Sequence, residues 1–211
     1  MNNYIITIAR GLGSGGSHIG KKLCADLGIA YYDREILQMA ADLSGINEKY
    51  FLDANEKINK GQITIDNSKG VYSSILYKPN DKKFLSDENL FNYQALVIKN
   101  IALAGDTSGV IIGKAANYIL ASLRNVVTVN IQAPIDLCIR NVSKRLGISQ
   151  KEALASIEKT DKYRANYYKY FTGHEWNDPR EYDICINTNV MGEDYAAVLI
   201  EHMLRDKGLI K

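Results

Sequence analysis

The residues best suited to chemistry form the stretch ARGLGSGGSHIG at positions 9–20, directly after the apolar run YIITI. In the phosphate-loop pattern G-x-x-x-x-G-K-[ST], glycines let backbone N–H groups turn toward phosphate oxygens, and the following helix adds the partial positive charge of its N-terminus. Aligned with that pattern, Arg10 takes the first position, Gly16 replaces the lysine, and Ser17 matches the hydroxyl that contacts Mg²⁺. The stretch therefore predicts backbone phosphate binding, and the alternative is a glycine-rich turn that only packs the helix closely.

The positive charge that the absent lysine would supply must come from another residue if the loop serves catalysis. Arg10 ranks first among the local candidates, because a helix carries Lys21 and Lys22 more than a turn beyond the loop. His18 lies beside the loop, but in-line phosphoryl transfer depends on positioning and charge neutralisation more than on a base. The residues predicted to bind the nucleotide phosphates are Gly11, Gly13, Ser14, Gly15, Gly16, Ser17 and His18.

The composition is ordinary for a soluble globular protein. The 211 residues include 26 basic and 24 acidic side chains, and a net charge of +2 argues against a nucleic-acid or membrane-surface binder. The cysteines at 24, 138 and 185 are too far apart in the sequence for a metal motif, so reduced cysteines are expected. No apolar run approaches the roughly 20 residues of a membrane span. YIITIA is too short for a signal peptide, so the default expectation is a cytoplasmic protein.

Short β-rich runs alternate with longer helical patterns, which is typical of a parallel sheet with helices on both faces. The predicted strands are Tyr4–Ala9, Ile29–Tyr32, Val110–Gly113, Val126–Ile131 and Asp183–Asn187. The predicted helices are Ser17–Leu27, Arg34–Leu43, Asp87–Ala104, Ala115–Ser122, Ile135–Leu146, Gln150–Tyr170 and Gly192–Asp206. The fold class is therefore α/β, with three α/β/α layers in one domain over residues 1–211. Residues 53–85 carry the weakest pattern and are predicted to be an irregular insertion, either a working flap or partly disordered.

An ordered series of segments resembles the cytidylate kinase-like family of P-loop proteins. The segments are GSGGSHIGKKL at 13–23, YYDREIL at 31–37, VIIGKAANYIL at 110–120, TDKYRANYYKYFTG at 160–173 and YDICINT at 182–188. The resemblance implies a five-stranded parallel sheet of the P-loop nucleoside triphosphate hydrolase type. It further implies a monophosphate-binding region over 33–105, a helical lid over 147–175, and the use of ATP and Mg²⁺.

Members of the wider group carry lid arginines that clamp the phosphates being transferred. Here Asp161 and Arg164 match the second half of that lid pattern, while Ile157 and Glu158 stand where an arginine and an aspartate are expected. On a helix, residues three apart share a face, so Asp161 can orient Arg164; the alternative is a plain surface ion pair. The predicted catalytic residues are Arg10, Arg140, Arg145, Asp161 and Arg164, with a solvated helix face as the alternative for Arg140 and Arg145.

Three acceptor-binding residues are predicted: the resemblance implies Asp33 and Lys114, and Arg34 is added because it lies at the carboxyl edge of the second strand, where open α/β sheets bind substrates. Asp33 matches the acidic residue that opens the monophosphate-binding region, and Arg34 lies beside it. Lys114 stands where many relatives carry an arginine that binds the monophosphate; lysine supplies the charge but not the two-pronged contact. The expected tyrosine–arginine pair is absent, with Gln38 and Met39 in its place. Cytosine specificity therefore rests on the resemblance alone.

Two further apolar groups are predicted to lie in the core. The segment NYQALVIKNIAL at 92–103 has helical apolar spacing, which suits a core-facing helix or a homodimer contact. The aromatic cluster after Arg164 favours packing against the sheet over stacking on a base. Its members are Tyr167, Tyr168, Tyr170, Phe171 and Trp176.

The leading hypothesis is a nucleotide phosphotransferase that moves the γ-phosphate of ATP to a nucleoside monophosphate, with CMP or dCMP as the acceptor that the family implies. Its partners would then be a nucleoside triphosphate and a nucleoside monophosphate. The second hypothesis is a nucleotide- or phosphate-binding module that has lost turnover, because Gly16 replaces the lysine and Ile157 replaces a lid arginine. A kinase for another small metabolite also stays open, because phosphate loops outlast changes of substrate.

Overall fold

A parallel sheet of five strands forms the centre of the molecule in the computed structural model, which describes residues 3–59, 70–105 and 107–211. The strands are β1 (Ile5–Arg10), β2 (Ala30–Tyr32), β3 (Gly109–Ile112), β4 (Val126–Gln132) and β5 (Ile184–Asn187). Their order is β2-β3-β1-β4-β5, and every pairing is parallel. All five predicted strands are confirmed to within one residue at each end, and so is the predicted fold class.

The described residues form nine α-helices, seven of which were predicted. They are α1 (Gly16–Leu27), α2 (Glu35–Ser44), α3 (Glu48–Asn59), α4 (Asp87–Leu103), α5 (Ala116–Ile119), α6 (Ile135–Leu146), α7 (Gln150–Thr172), α8 (Thr188–Met191) and α9 (Glu193–Asp206). The sequence prediction missed α3 and α8, and α5 is shorter than predicted. None of the helices in the described ranges has the length and apolar character needed to cross a membrane.

Two apolar cores cover the two faces of the sheet. Successive strand residues point to opposite faces, so Ile5 joins one core while Ile6 and Ile8 join the other. The first core contains the buried side chains of α2, α3, α4, α5 and the C-terminal half of α7, and the second contains those of α1 and α9. The helical layers on both faces explain why the strands are apolar on successive residues.

The weakly patterned residues 53–85 differ in part from the prediction of an irregular insertion. Residues 53–59 continue α3, whose Phe51 and Ala54 are buried, and residues 60–69 lie outside the described residues. Residues 70–86 contain no helix or strand, but buried asparagines of α4 hold them in place. The Asn89 side chain accepts from the Tyr77 amide at 2.8 Å and donates to the Phe84 carbonyl at 2.8 Å. The amides of Val71 and Tyr72 also donate to the carbonyls of Tyr170 and Phe171, so the segment is held by α4 and α7 rather than by a backbone ladder of its own.

The predicted lid residues form a long helix that packs on α6. Ser149 and Glu152 close the start of α7 with a reciprocal capping box. Ile157 of α7 is 3% exposed and forms a small apolar cluster with Cys138 and Val142 of α6. The C-terminal half of α7 buries Tyr167, Tyr168 and Phe171 in the first core, as predicted, with Tyr170 and Trp176 partly buried against it. The helix is thus attached to the rest of the fold along both halves.

Candidate functional site

The carboxyl ends of the five parallel strands meet at one edge of the sheet, which is where open α/β sheets bind ligands. Arg10 ends β1, and Asp33 follows β2 directly. Lys114 follows β3 after one glycine, and Thr188 follows β5 directly. The topology therefore brings charged and polar residues from distant parts of the sequence to one edge.

The glycine-rich loop between β1 and α1 needs glycine for conformation and for space. Gly13 and Gly15 have φ values of +86° and +88°, in the left-handed region that glycine adopts readily. A Cβ at Gly13 would also lie 2.6 Å from the carbonyl oxygen of Cys138, so α6 approaches the loop at backbone distance. A side chain at position 13 would push these two elements apart.

Side chains from α6 and α8 hold the loop carbonyls and leave loop amides free. The Asn141 side chain donates to the Gly13 carbonyl at 2.8 Å, and the Thr188 hydroxyl donates to the Ser14 carbonyl at 2.8 Å. Within the described ranges, four loop amides donate to no acceptor: those of Gly13, Gly15, Gly16 and Ser17. Unpaired amides at a helix N-terminus are suited to binding an anion.

Helix α7 docks on the same loop through Asp161 and Arg164. The Asp161 carboxylate accepts from the Leu12 amide at 3.0 Å and from Arg164 Nη1 at 2.9 Å. Arg164 Nη1 also donates to the Arg10 carbonyl at 2.9 Å. The two side chains are only 26% and 17% exposed, and burial raises the pKa of Asp161 and lowers the pKa of Arg164. The pair therefore joins two elements and is more than a surface ion pair.

Two adjoining cavities open at this edge. The loop cavity, of about 190 Å³, is lined by Gly13, Gly15, Gly16 and Ser17 together with Arg145. The strand-edge cavity, of about 210 Å³, is lined by Asp33 and Lys114 and by the aromatic residues Tyr163, Tyr167, Tyr168 and Trp176. Arg10 and Arg164 line both cavities. A group bound between the cavities would meet both guanidinium groups.

The Arg10 guanidinium has donors without partners. Its Nε is buried and makes no hydrogen bond, and its Nη2 lies 3.9 Å from Asp33 Oδ1, beyond hydrogen-bonding distance. Burial, followed by repulsion from Arg164, lowers the pKa of Arg10 to about 10, so the group still carries a proton at neutral pH. A partly buried cation with free donors is suited to an anionic ligand.

Lys114 enters the strand-edge cavity from a strained turn. Gly113, Lys114 and Ala115 have φ values of +67°, +56° and +53°, and each such non-glycine residue costs about 1–2 kcal/mol. Among the described residues no carboxylate lies within salt-bridge distance of Lys114, and burial lowers the pKa of its amine to about 8. Strain of this kind persists where the surrounding structure fixes a side chain, often at a functional site.

Most of the predicted site residues converge here, and a few do not. Ser14 is buried and donates to the Gly11 carbonyl at 2.9 Å instead of lining a cavity. His18 lines the loop cavity at its exposed rim, 3.8 Å from Glu193. Arg34 and Arg140 are exposed and line neither cavity.

Sequence reasoning missed the residues that contact the loop but lie far from it in the sequence. Asn141 and Thr188 are separated from their partners by 128 and 174 residues. Glu193 lies so close to Gly15 that a Cβ there would be 2.4 Å from its Oε1. The one available signal was position, because Thr188 and Glu193 follow β5 at the ligand-binding edge of the sheet.

The sheet order, the loop and the helix that follows it define a fold of the P-loop kinase type. The chain belongs to the cytidylate kinase-like family, whose family model matches residues 5–190. Among curated proteins the chain has no match. The family and the fold together support a phosphotransferase.

Solved structures share the fold over nearly the whole chain. An uncharacterized protein from Eubacterium ventriosum is 25% identical with a TM-score of 0.70, covering 96% of this chain and 99% of its own. Shikimate kinase from Bacteroides thetaiotaomicron is 11% identical with a TM-score of 0.51, covering 96% and 98%. A sugar kinase from Janibacter sp. is 13% identical with a TM-score of 0.50, covering 96% and 93%. At such low identity the two kinases show the fold alone.

Proposed function

We propose that the protein transfers the γ-phosphoryl group of ATP to a small anionic acceptor, with CMP or dCMP as the acceptor that the family implies. The observation that carries the proposal is that Arg10 and Arg164 line both the loop cavity and the strand-edge cavity. A donor in one cavity and an acceptor in the other would place the transferred group between two cations. Charge neutralisation at that point is the main requirement of phosphoryl transfer.

The loop cavity fits the phosphates of the donor. Four unpaired amides can donate hydrogen bonds to phosphate oxygens, and Arg145 adds a positive charge at the rim. The Ser17 hydroxyl would hold Mg²⁺, which would supply positive charge to neutralise the phosphates. Within the described ranges no three acidic, histidine or cysteine side chains cluster as a metal site. A magnesium ion bound through Ser17, phosphates and water needs no such cluster.

The strand-edge cavity fits an acceptor with a negative charge. Three cationic side chains, Arg10, Lys114 and Arg164, line it against one carboxylate, that of Asp33. Its volume of about 210 Å³ lies below the roughly 300 Å³ at which pockets for drug-sized ligands begin. This volume favours a small acceptor, so a phosphorylated or carboxylated metabolite smaller than a nucleoside monophosphate is the second candidate. In this proposal, residues 33–105 contribute to acceptor binding and residues 147–175 form the lid.

The test is turnover by the purified protein with Mg²⁺, ATP and a panel of acceptors. The panel contains CMP, dCMP, UMP, AMP, ribose 5-phosphate and glycerol 3-phosphate, and ADP formation is measured against ATP alone. We expect acceptor-dependent ADP formation, and we expect Arg164→Gln to lower kcat by about 10²-fold or more. Arg124→Gln serves as the matched control, because Arg124 is exposed and lines neither cavity.

Calorimetry with Mg²⁺ and ATP separates this proposal from a binding module that has lost turnover. Tight binding of ATP without ADP formation for any acceptor would favour the binding module. The observation that favours this alternative is that buried Ile157 occupies the position of the lid arginine.

A further inference from the structure

Arg10, at the end of β1, is a cation, whereas Gly16, at the position where the phosphate-loop pattern has lysine, is not. We propose that Arg10 supplies, from the end of β1, the positive charge that a lysine at position 16 would supply, and that Gly16 is glycine because Arg10 needs its space. This inference rests on the proposed function, because it assigns a phosphate-binding role within the same site.

The path of the Arg10 side chain passes two glycines. A Cβ at Gly16 would lie 2.5 Å from Arg10 Cβ, 3.1 Å from Arg10 Cγ and 3.2 Å from Ile131 Cβ. A Cβ at Gly113 would lie 2.5 Å from Arg10 Nη1. The side chain therefore starts beside Gly16 and ends beside Gly113.

The overlap at Gly16 is harder to relieve than the overlap at Gly113. It involves Arg10 Cβ, which the backbone of β1 fixes, whereas Nη1 is the far end of a flexible side chain. Any residue with a Cβ at position 16, lysine included, conflicts with the Cβ of any residue other than glycine at position 10. Either position can therefore carry a cationic side chain, but the two cannot carry one at the same time.

The two lysines nearest the loop in the sequence, Lys21 and Lys22, have other partners. Lys22 pairs with Asp26 at 2.9 Å on the outer face of α1, and the Lys21 amine lies over the Tyr31 ring at 5.9 Å from its centroid. Neither residue lines the loop cavity. Arg10 lines it, with a buried Nε that makes no hydrogen bond and an Nη2 whose nearest carboxylate oxygen lies at 3.9 Å.

The experiment compares the wild-type protein with Arg10→Gly, Gly16→Lys and the double variant Arg10→Gly/Gly16→Lys. Calorimetry measures the affinity for ATP in the presence of Mg²⁺, and thermal unfolding gives the Tm. Arg10→Gly should weaken ATP binding about 10- to 100-fold, the range for hydrogen bonds to a charged group. Gly16→Lys should lower both the Tm and the affinity. The double variant should bind ATP at least tenfold more tightly than Arg10→Gly.

A single methyl group gives a second measurement in case Gly16→Lys does not fold. Gly16→Ala should displace Arg10 and weaken ATP binding. Gly20→Ala adds a methyl to the same helix, but its Cβ would meet the side-chain atoms Ile112 Cδ1, Tyr31 Cε2 and Ile8 Cδ1 at 2.9, 3.3 and 3.4 Å and would not meet Arg10, so ATP affinity should fall less than in Gly16→Ala. Equal effects of the two substitutions would overturn the proposal.

The proposal and the proposed function can fail separately. The role proposed for Arg10 is refuted if Arg10→Gly binds ATP like the wild type, or if the double variant binds no better than Arg10→Gly. Either result refutes it whether or not the protein phosphorylates an acceptor. If the wild type binds ATP and the variants follow the expected order, but no acceptor is phosphorylated, the role proposed for Arg10 is supported and the proposed kinase reaction is refuted. No ATP binding by the wild-type protein refutes both.

Discussion

Replacing Lys114 by methionine should stabilise the fold and weaken acceptor binding. The amine lines the strand-edge cavity on a residue with φ +56°, and burial lowers its pKa from the ordinary 10.5 to about 8. Asp33 opposes that shift, while Arg10 and Arg34 add to it. The folded protein therefore bears a cost for keeping this amine charged, and the acceptor's negative charge would offset that cost.

The size and sign of the effect follow from proton linkage. Between pH 8 and pH 10.5 the unfolded chain holds a proton on Lys114 that the folded chain has lost, so the stability of the wild type rises with pH in that window. Below pH 8 both states are protonated and the full cost is present. A shift from 10.5 to about 8 corresponds to about 3 kcal/mol, an upper bound because the side chain is only partly buried.

Urea denaturation of the wild type and of Lys114→Met at several pH values measures this cost. We expect the variant to be more stable at pH 7 by up to about 3 kcal/mol, and the difference to shrink as the pH rises to 10.5. The matched control is Lys82→Met, at an exposed position, which should show no such trend. A stability difference that does not change between pH 7 and pH 10.5 would refute the argument. In turnover assays, the KM for the acceptor should rise above pH 8 in the wild type but not in Lys114→Arg.

Three further predictions test contacts that support the site and the fold. Asn141→Ala and Thr188→Val should each raise the KM for ATP about 2- to 10-fold, because each leaves a loop carbonyl without its donor; Thr188→Ser should retain the wild-type value in the same steady-state assay. Ile157→Arg should lower the free energy of unfolding by about 3 kcal/mol or more in urea titrations, because it buries an unpaired charge between α6 and α7. Asn89→Ala should speed limited proteolysis within residues 70–86, because the Tyr77 amide and the Phe84 carbonyl lose their partner.

The sequence was sufficient for the fold because the strands and most helices carry local signals. The strands are apolar on successive residues, and α1, α2, α6 and α7 each end at a glycine in the left-handed conformation. Helix α3 was missed because its sequence is largely polar, and only residues such as Phe51 and Ala54 face the core. The order of residues 70–86 could not be predicted, since it depends on buried asparagines of α4 that look like ordinary helix residues in the sequence.

The site residues that belong to a recognisable motif could be predicted from the sequence. The residues that contact the loop from other elements of the fold could not. The loop glycines, Ser17 and Arg10 follow from the phosphate-loop pattern, and the structure brings them to one cavity. The supports of the loop come from α6 and α8, and no spacing in the sequence connects them to it. Whether an arginine such as Arg34 or Arg140 lies in the site depends on the direction of one helix face, which motif matching does not determine.

Two expected cations are absent, and the fold gives a physical reason for each. The position of the lid arginine is occupied by Ile157, which anchors α7 to α6, and Asp161 and Arg164 then fix the same helix to the glycine-rich loop. A helix attached in this way already holds Arg164 at the cavity, so it has less need of a second arginine. The position of the loop lysine is Gly16, next to the side chain of Arg10. In our proposal, the positive charge that the phosphate-loop pattern places at position 16 lies on Arg10 at the end of β1, where the sheet sets its position before any ligand binds.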